Sequence, residues 1–328
     1  MKNRTTILLL AILLVTLVAV APLSAQTFKG AFQDFADDIS NSLPLTSTIG
    51  NNTADAYIGQ FLRVPPNIGF GFTVGWATIP YDTMKDLFGD LDIAVPSAVS
   101  NFSGIGVPNP AYTIDARMGG FILPFDFGVK FGTLGDGGLN AGNLKTEFLL
   151  VGGDVRYAVM QQGLVKPNIS VGVGFNHMRG QILVRDAVSA NYEVVTGPDP
   201  GDVIQISPRG DAFVEWTTNV IDFKAQVSKS FIILTPYAGL AASYGVSNAG
   251  GGIRFRSDLD PGDVQDLKDA GIDVDGRTIG VTSDANGWSF RAFGGTSINI
   301  LLLRLDLGLG YDLLGENFVG TVGTRIQL

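Results

Sequence analysis

The sequence predicts an all-β fold: a closed antiparallel transmembrane β-barrel of about ten strands, preceded by a short N-terminal amphipathic helix. Three observations carry this. Large or β-branched residues recur with period two over most of the chain, as on strands whose two faces meet different surroundings. The positions between them hold glycine, small hydroxyls and charges of both signs. The gaps between strands alternate long and short almost to the C-terminus.

Composition agrees. Of 328 residues, 45% are hydrophobic and only 16% charged, where a soluble globule has roughly a quarter charged. No apolar run after the N-terminus is long enough for a membrane helix, so the hydrophobicity is dispersed, as alternating strands disperse it. The net charge is −9, and no cluster of Lys and Arg is present to neutralise phosphates, which excludes nucleic acid as a partner. Cysteine is absent. No disulfide framework and no lipid-bearing cysteine can anchor the chain.

Residues 1–25 read as a signal peptide: Lys2 and Arg4, an apolar stretch from Ile7 to Ala21, then small residues at Ser24 and Ala25. Cleavage before Gln26 is expected, although Leu23 is large for its place three residues before the cut. Residues 26–66 form the next unit. In "FKGAFQDFADDI", Phe28, Ala31, Phe32, Phe35, Ala36 and Ile39 share a helical face, with Asp34, Asp37 and Asp38 mostly opposite. The Pro-, Gly- and Asn-containing stretch from Leu43 to Asn67 is expected to be largely irregular, with Tyr57 to Val64 extended. This unit either plugs the barrel or lies on the periplasmic side.

Residues 67–328 are the barrel. Strands are expected near 67–79, 112–122, 124–133, 145–160, 166–179, 212–229, 231–246, 287–299, 302–313 and 317–328, the fifth and sixth running further out. Thirty or so residues separate the first two strands and "LP" the next. "GTLGDGGLNAGN" is expected to be a long loop, "QQGLVK" a short one, 180–211 long, Ser230 short and 247–286 long. Outer-membrane barrels segregate loop length in this way, and an even strand count returns both termini to the periplasm. A soluble sandwich or a lipocalin-like cup shares the alternation but not the asymmetry.

The two faces then separate. "IGFGFTVGWATI" presents Phe70, Phe72, Val74 and Trp76 on one side and Gly69, Gly71 and Gly75 on the other. In "LLLRLDLGLGYD", Leu303, Leu305 and Leu307 oppose Arg304 and Asp306. Glycine weakens a strand unless a crowded neighbour needs the room, and the lumen of a ten-stranded barrel is narrow. The bulky residues are therefore expected to face lipid. The lumen-lining charges are expected to be Asp115, Arg117, Asp126, Lys130, Glu147, Asp154, Arg156, Arg291, Arg304, Asp306 and Arg325. Paired, they would fill and rigidify the barrel; unpaired, they would line a permeation path. The last strand, "NFVGTVGTRIQL", holds Phe318, Val322, Ile326 and Leu328 in phase. It resembles the C-terminal signal read by the outer-membrane barrel assembly machinery, except that such signals usually end in Phe or Trp.

Other motifs carry less. His177, the only histidine, lies in phase with Val171, Val173 and Phe175 near the outer end of its strand. A catalytic base needs a positioned partner, and the only adjacent Asp pair, Asp37–Asp38, sits far away in the N-terminal helix. The loop "RSDLDPGDVQDLKDAGIDVDGRT" is acidic but lacks the EF-hand spacing. In "YDTMKDLFGDL", Met84, Leu87, Phe88 and Leu91 suit a short helix over the barrel mouth. No cofactor or metal is expected, and no catalytic residue.

Four phrases, "DAYIGQFLRVPPNIGFGFTVG", "GGDVRYAV", "KPNISVGVGFNHMRGQI" and "IDFKAQVSKSFIILTPYAGLAASYG", resemble exported barrel proteins of spirochaetes. They cover about a quarter of the mature chain. That resemblance implies fold and location but no substrate. The long-chain fatty-acid transporter family is a weaker likeness: it implies an N-terminal plug, but its Asn-Pro-Ala opening does not begin the mature chain here and the strand count is low. The expectation is an outer-membrane barrel of a diderm bacterium, in contact with outer-membrane lipid and giving passive or gated passage to a small solute. The alternative is a non-transporting surface barrel that binds a ligand or host partner or supports the envelope.

Overall fold

The computed structural model describes residues 42–50, 53–58, 66–82, 85–86, 100, 102–120, 123–141, 144–188, 192–195, 203–206, 210–255, 264–265, 268 and 273–328. Thirteen strands follow in order: β1 Asn67–Ile79, β2 Val107–Gly119, β3 Phe125–Ala141, β4 Leu144–Met160, β5 Asn168–Val188, β6 Tyr192–Val195, β7 Val203–Ile206, β8 Gly210–Ser228, β9 Leu234–Phe255, β10 Asp273–Asp275, β11 Thr278–Ile300, β12 Leu303–Asp312 and β13 Phe318–Gln327. Ten of them form the wall, in the order β1-β2-β3-β4-β5-β8-β9-β11-β12-β13, every neighbouring pair antiparallel. The ring closes where β1 meets β13, from Gly69↔Gln327 to Ala77↔Val319. Closure leaves no strand edge at the level of the ring, which is the condition for strands to stand in a medium that offers no hydrogen bonds. β6 and β7 form a separate hairpin within the β5–β8 connection.

Each of the ten expected strands has its counterpart, but several run further than their alternation indicated. β3 continues to Ala141 and β4 begins at Leu144, so the glycine-rich segment expected as a long loop is two strand extensions. β9 reaches Phe255 and β11 starts at Thr278, consuming much of the expected 247–286 loop. β12 and β13 have only 10 residues each, about what crosses a bilayer, whereas β9 has 22 and β11 has 23. The rim is therefore low at β12, β13, β1 and β2 and tall from β3 to β11. All the tall extensions stand at the end opposite the short turns after β2, β4, β8 and β11.

Alternation sorts the side chains as the pleat requires. Phe70, Phe72, Val74 and Trp76 are 39–57% exposed on the outside, and Leu303, Leu305 and Leu307 are exposed in the same way on β12. Around the ring this outer surface continues through Phe127, Val129, Val173, Phe175, Ile221 and Phe223. The interior holds the charges. The molecule is thus apolar outside and polar within at the level of the shorter strands.

The interior is also occupied by the chain itself. Residues 42–47 form a single helical turn and a half, not the irregular segment expected there, and residues 42–50 and 53–58 are buried throughout. Leu43, Leu45, Ile49 and Ile58 are the large apolar side chains of this plug, each at most 2% exposed. Wall glycines make room for it: a Cβ at Gly245 would lie 2.5 Å from Pro44, at Gly75 2.9 Å from Ile49, and at Gly119 2.7 Å from Ile58. The plug runs from mid-barrel at Pro44 towards the short-turn end, where Asn67 Nδ2 donates to Ile58 O at 3.2 Å. The amphipathic helix expected over 28–39, like the helix around Met84, Leu87, Phe88 and Leu91, lies outside the described residues.

Candidate functional site

The charges gather in the lumen because inward positions on neighbouring strands fall side by side in register. Asp115 pairs with Lys130, Arg117 with Gly128, Asp126 with Arg156, and Gly128 with Asp154. The glycines supply volume: a Cβ at Gly128 would lie 2.4 Å from the Arg117 guanidinium and 2.7 Å from Asp154. At the centre, Asp126 accepts from Arg117 Nη1 at 2.5 Å and bidentately from Arg156, Nε at 2.8 Å and Nη2 at 2.7 Å. Arg117 Nη2 reaches Asp154 at 2.5 Å, and Lys224 holds the other oxygen of Asp154 at 3.1 Å. All these groups are buried. A desolvated network of this kind is stable only when each charge has a partner, and the alternation of signs along it provides one.

A second group lies across the barrel. Asp222 accepts from Ser243 Oγ at 2.6 Å and Arg291 Nη2 at 3.3 Å. Arg325 reaches Asp115 at 3.0 Å and Asp306 at 3.9 Å. Ser289 donates to Asp312 at 2.7 Å.

The plug is fastened to this wall. Lys130 Nζ donates to Ser47 O at 2.6 Å and Ile49 O at 2.7 Å. Arg291 Nη1 donates to Thr48 Oγ1 at 2.7 Å. Arg156 Nη1 donates to Asp55 O at 2.6 Å and Thr53 Oγ1 at 3.2 Å, while Gln226 donates to Thr53 O at 2.6 Å. Arg304 Nη1 lies 2.9 and 2.8 Å from the two oxygens of Asp55. Nearer the short-turn end the directions are mixed: Ala56 N donates to Ser228 Oγ and Ile58 N to Asp126 Oδ2, both at 2.9 Å, while Asn67 Nδ2 donates to the plug. Burial pushes the Asp55 carboxyl above its ordinary value, against the pull of Arg304. Burial likewise raises the Tyr57 phenol, whose oxygen accepts from Gly120 N at 3.1 Å.

Among the charges expected inside, Asp115, Arg117, Asp126, Lys130, Asp154, Arg156, Arg291, Arg304, Asp306 and Arg325 are brought together here. Glu147 is not. It shares parity with Val151 and Tyr157, both exposed, rather than with buried Asp154, and it pairs with Lys145 on the outer face. The alternation in "IDFKAQ" marks Asp222 and Lys224 just as clearly, and they belong in the set; the plug's Asp55 carries no periodic signal at all. His177 stands on the outer face, its Nδ1 2.9 Å from Asn219 Oδ1. Asp37, Asp38 and much of the acidic loop lie outside the described residues.

Two hollows border these features. One of about 300 Å³ sits on the loop side of the plug, lined by Pro44, Ser247, Ser289, Asp312, Trp288 and Asn317 among others. The other, of about 530 Å³, is lined mostly by residues of the outer wall face, including Glu147, Arg179, Gln181, Glu215 and Asn248, together with Trp216.

Fold and site together define a class: an antiparallel barrel of ten wall strands, sealed by its first and last, with a charged lumen filled by its own N-terminal segment. No protein-family model matches the chain, and no curated protein does. Among solved structures it is similar to the outer membrane protease OmpT from Escherichia coli, at 9% identity and a TM-score of 0.41, over 84% of this chain and 100% of that one. It is also similar to the translocator domain of the autotransporter NalP from Neisseria meningitidis (12% identity, TM-score 0.33, 93% of this chain, 99% of that one). A third is the Ralstonia pickettii toluene transporter TbuX (11% identity, TM-score 0.25, 87% and 96%). Identities of 9–12% with TM-scores of 0.25–0.41 leave function to this chain's own geometry.

Proposed function

We propose that this chain is an outer-membrane β-barrel of a diderm bacterium, and that it passes small solutes only when residues 42–58 move from the lumen. In this reading residues 1–25 are cleaved on export, 26–66 carry the plug and 67–328 form the barrel. The exposed belt supports the location: contiguous apolar surface of this extent draws a soluble protein into aggregates, and hydrocarbon is the solvent it suits. The exposed stripe of Phe318, Val322, Ile326 and Leu328 on the final strand supports delivery by the barrel assembly machinery. The resemblance to spirochaete proteins rests on its four phrases alone.

One observation carries the gating. The plug is held largely by hydrogen bonds from long, mostly charged wall side chains, which water can replace as the plug leaves at a net cost of about 1.5–3 kcal/mol each. The apolar anchors, Leu43, Leu45, Ile49 and Ile58, add about 1.5–3 kcal/mol apiece if exposed to water. The barrel is therefore closed at rest, and opening is a rare excursion. Planar bilayers test this: brief, voltage-driven openings of the full chain support it, and their absence at every voltage sinks it.

The outer hollow favours a second reading, a non-transporting surface barrel. Arg179, Gln181, Glu215 and Trp216 give it charge, amide and aromatic groups on the tall part of the wall, the mixture that surface recognition uses. Binding of a glycan or host protein that is lost in Arg179→Ala, by a chain that never conducts, would establish it instead.

A further inference from the structure

We infer that the solutes admitted when the plug moves are small anions, because the plug occupies a row of hydrogen-bond donors that the wall presents to the lumen. The inference rests on the gated reading. Over the described residues of 47–55, each hydrogen bond between plug and wall runs from wall to plug. The donors are Lys130, Arg156, Gln226, Arg291 and Arg304. The acceptors are the carbonyls of Ser47, Ile49, Thr53, Ala54 and Asp55, the Asp55 carboxylate, and the hydroxyls of Thr48 and Thr53. Those two hydroxyls spend their own protons on Leu45 O and Asp55 O, so towards the wall they too act as acceptors.

When the plug leaves, these cations do not all keep a partner. Arg156 retains Asp126 and Arg291 retains Asp222. Lys130 is held by two plug carbonyls and, among the described residues, by no carboxylate within ion-pair distance. Arg304 loses Asp55, which departs with the plug. The emptied lumen thus gains unpaired positive charge and unfilled donors within a low-dielectric wall, where an unpaired charge is costly. A chloride, phosphate or carboxylate restores what the plug supplied. A cation adds to the imbalance, and a neutral sugar brings acceptors without charge.

The natural chain has no cysteine. Ala54 of the plug and Ala241 of β9 lie in one buried cluster, so Ala54→Cys with Ala241→Cys puts two thiols there, and loss of both free thiols on oxidation identifies the chain in which they have joined as a tether. The readout is the reversal potential of single openings in a planar bilayer under a potassium chloride gradient. The untethered and reduced chains are expected to favour chloride over potassium by at least about fivefold, and oxidation of the tether to abolish the openings. Lys130→Gln is expected to lower that ratio at least about twofold, with Lys130→Arg restoring it. Openings that favour potassium overturn the anion assignment while leaving the gate intact, as does a ratio that Lys130→Gln leaves unmoved. Openings that persist in the oxidised chain, or none in the reduced one, overturn the gate and the assignment with it. If Lys130→Gln fails to fold, the ratio in the unsubstituted chain decides alone.

Discussion

Arg304, on the penultimate wall strand, holds the carboxylate of Asp55 at 2.8–2.9 Å across 249 residues of sequence. The contact joins a segment that precedes every strand to one of the last strands made. It gives the plug its one direct ion pair to the wall among the described residues, and a handle by which pH reaches the lumen.

The pH dependence follows from the raised Asp55 carboxyl. Burial, reinforced by the neighbouring Asp306, outweighs the pull of Arg304, Arg325 and Arg156. A carboxyl whose value in the docked plug exceeds its ordinary 3.8 takes up a proton on docking. Its contribution to docking is complete below 3.8 and is lost as pH rises through the raised value. Openings are therefore expected to become rarer as a bilayer chamber is acidified across that window. Arg304→Gln, which leaves the carboxylate buried without its partner, is expected to make them more frequent at neutral pH.

Asp126 ties Arg117, Arg156 and the backbone of Ile58 together. Asp126→Ala leaves two buried guanidiniums short of a partner, and loss of one member of such a group costs about 3–5 kcal/mol. The expected result is a lower urea midpoint in detergent and earlier loss of the folded band on heating.

The sealing pair β1–β13 carries its own check. Gly320 lies opposite Trp76 in register, and a Cβ there would sit 2.2 Å from the indole ring. Trp76 covers the glycine and closes the seam. Gly320→Ala must push the indole outwards, at about 1–3 kcal/mol, with a shift in tryptophan emission as the readout.

How far the sequence could be read depended on which surroundings each segment met. At belt level, apolar outside and charged inside, alternation located all ten wall strands and both faces. Above the belt the outer face is no longer apolar, so alternation fades in "NAGGGIRF" and "GLNA", and the sequence there reads as loop. Glu147 was misplaced because "KTEFLL" breaks period two at Leu149–Leu150, and its charge suggested an interior position that its parity denies. Asp222 and Lys224 carry the same alternation signal as the other luminal charges. The plug was not legible: residues 42–47 are buried on every side, leaving no polar stripe to mark a helix, and the partners of Asp55 are set by the ring as a whole.

The belt makes the remaining expectation. Val173 on β5 is 44% exposed on the outer face between Val171 and Phe175. Val173→Arg is expected to cost about 2–4 kcal/mol at mid-belt, and to reduce the folded, membrane-inserted fraction. At Arg179, where the outer face has become polar, a cation already stands, and Arg179→Lys is expected to insert normally.

Because β1 pairs with β13, the cylinder cannot be sealed until β13 has been synthesised. The stopper precedes the first strand, so it is synthesised long before there is anything to stop. Either it waits, shielded by a chaperone, while the staves assemble around it, or it enters afterwards from the short-turn side through an opening that is still polar. In both cases biogenesis has an order: a transient, leaky cylinder exists only if the stopper comes second. A pulse-labelled cell would reveal that interval as a brief sensitivity to small toxic solutes.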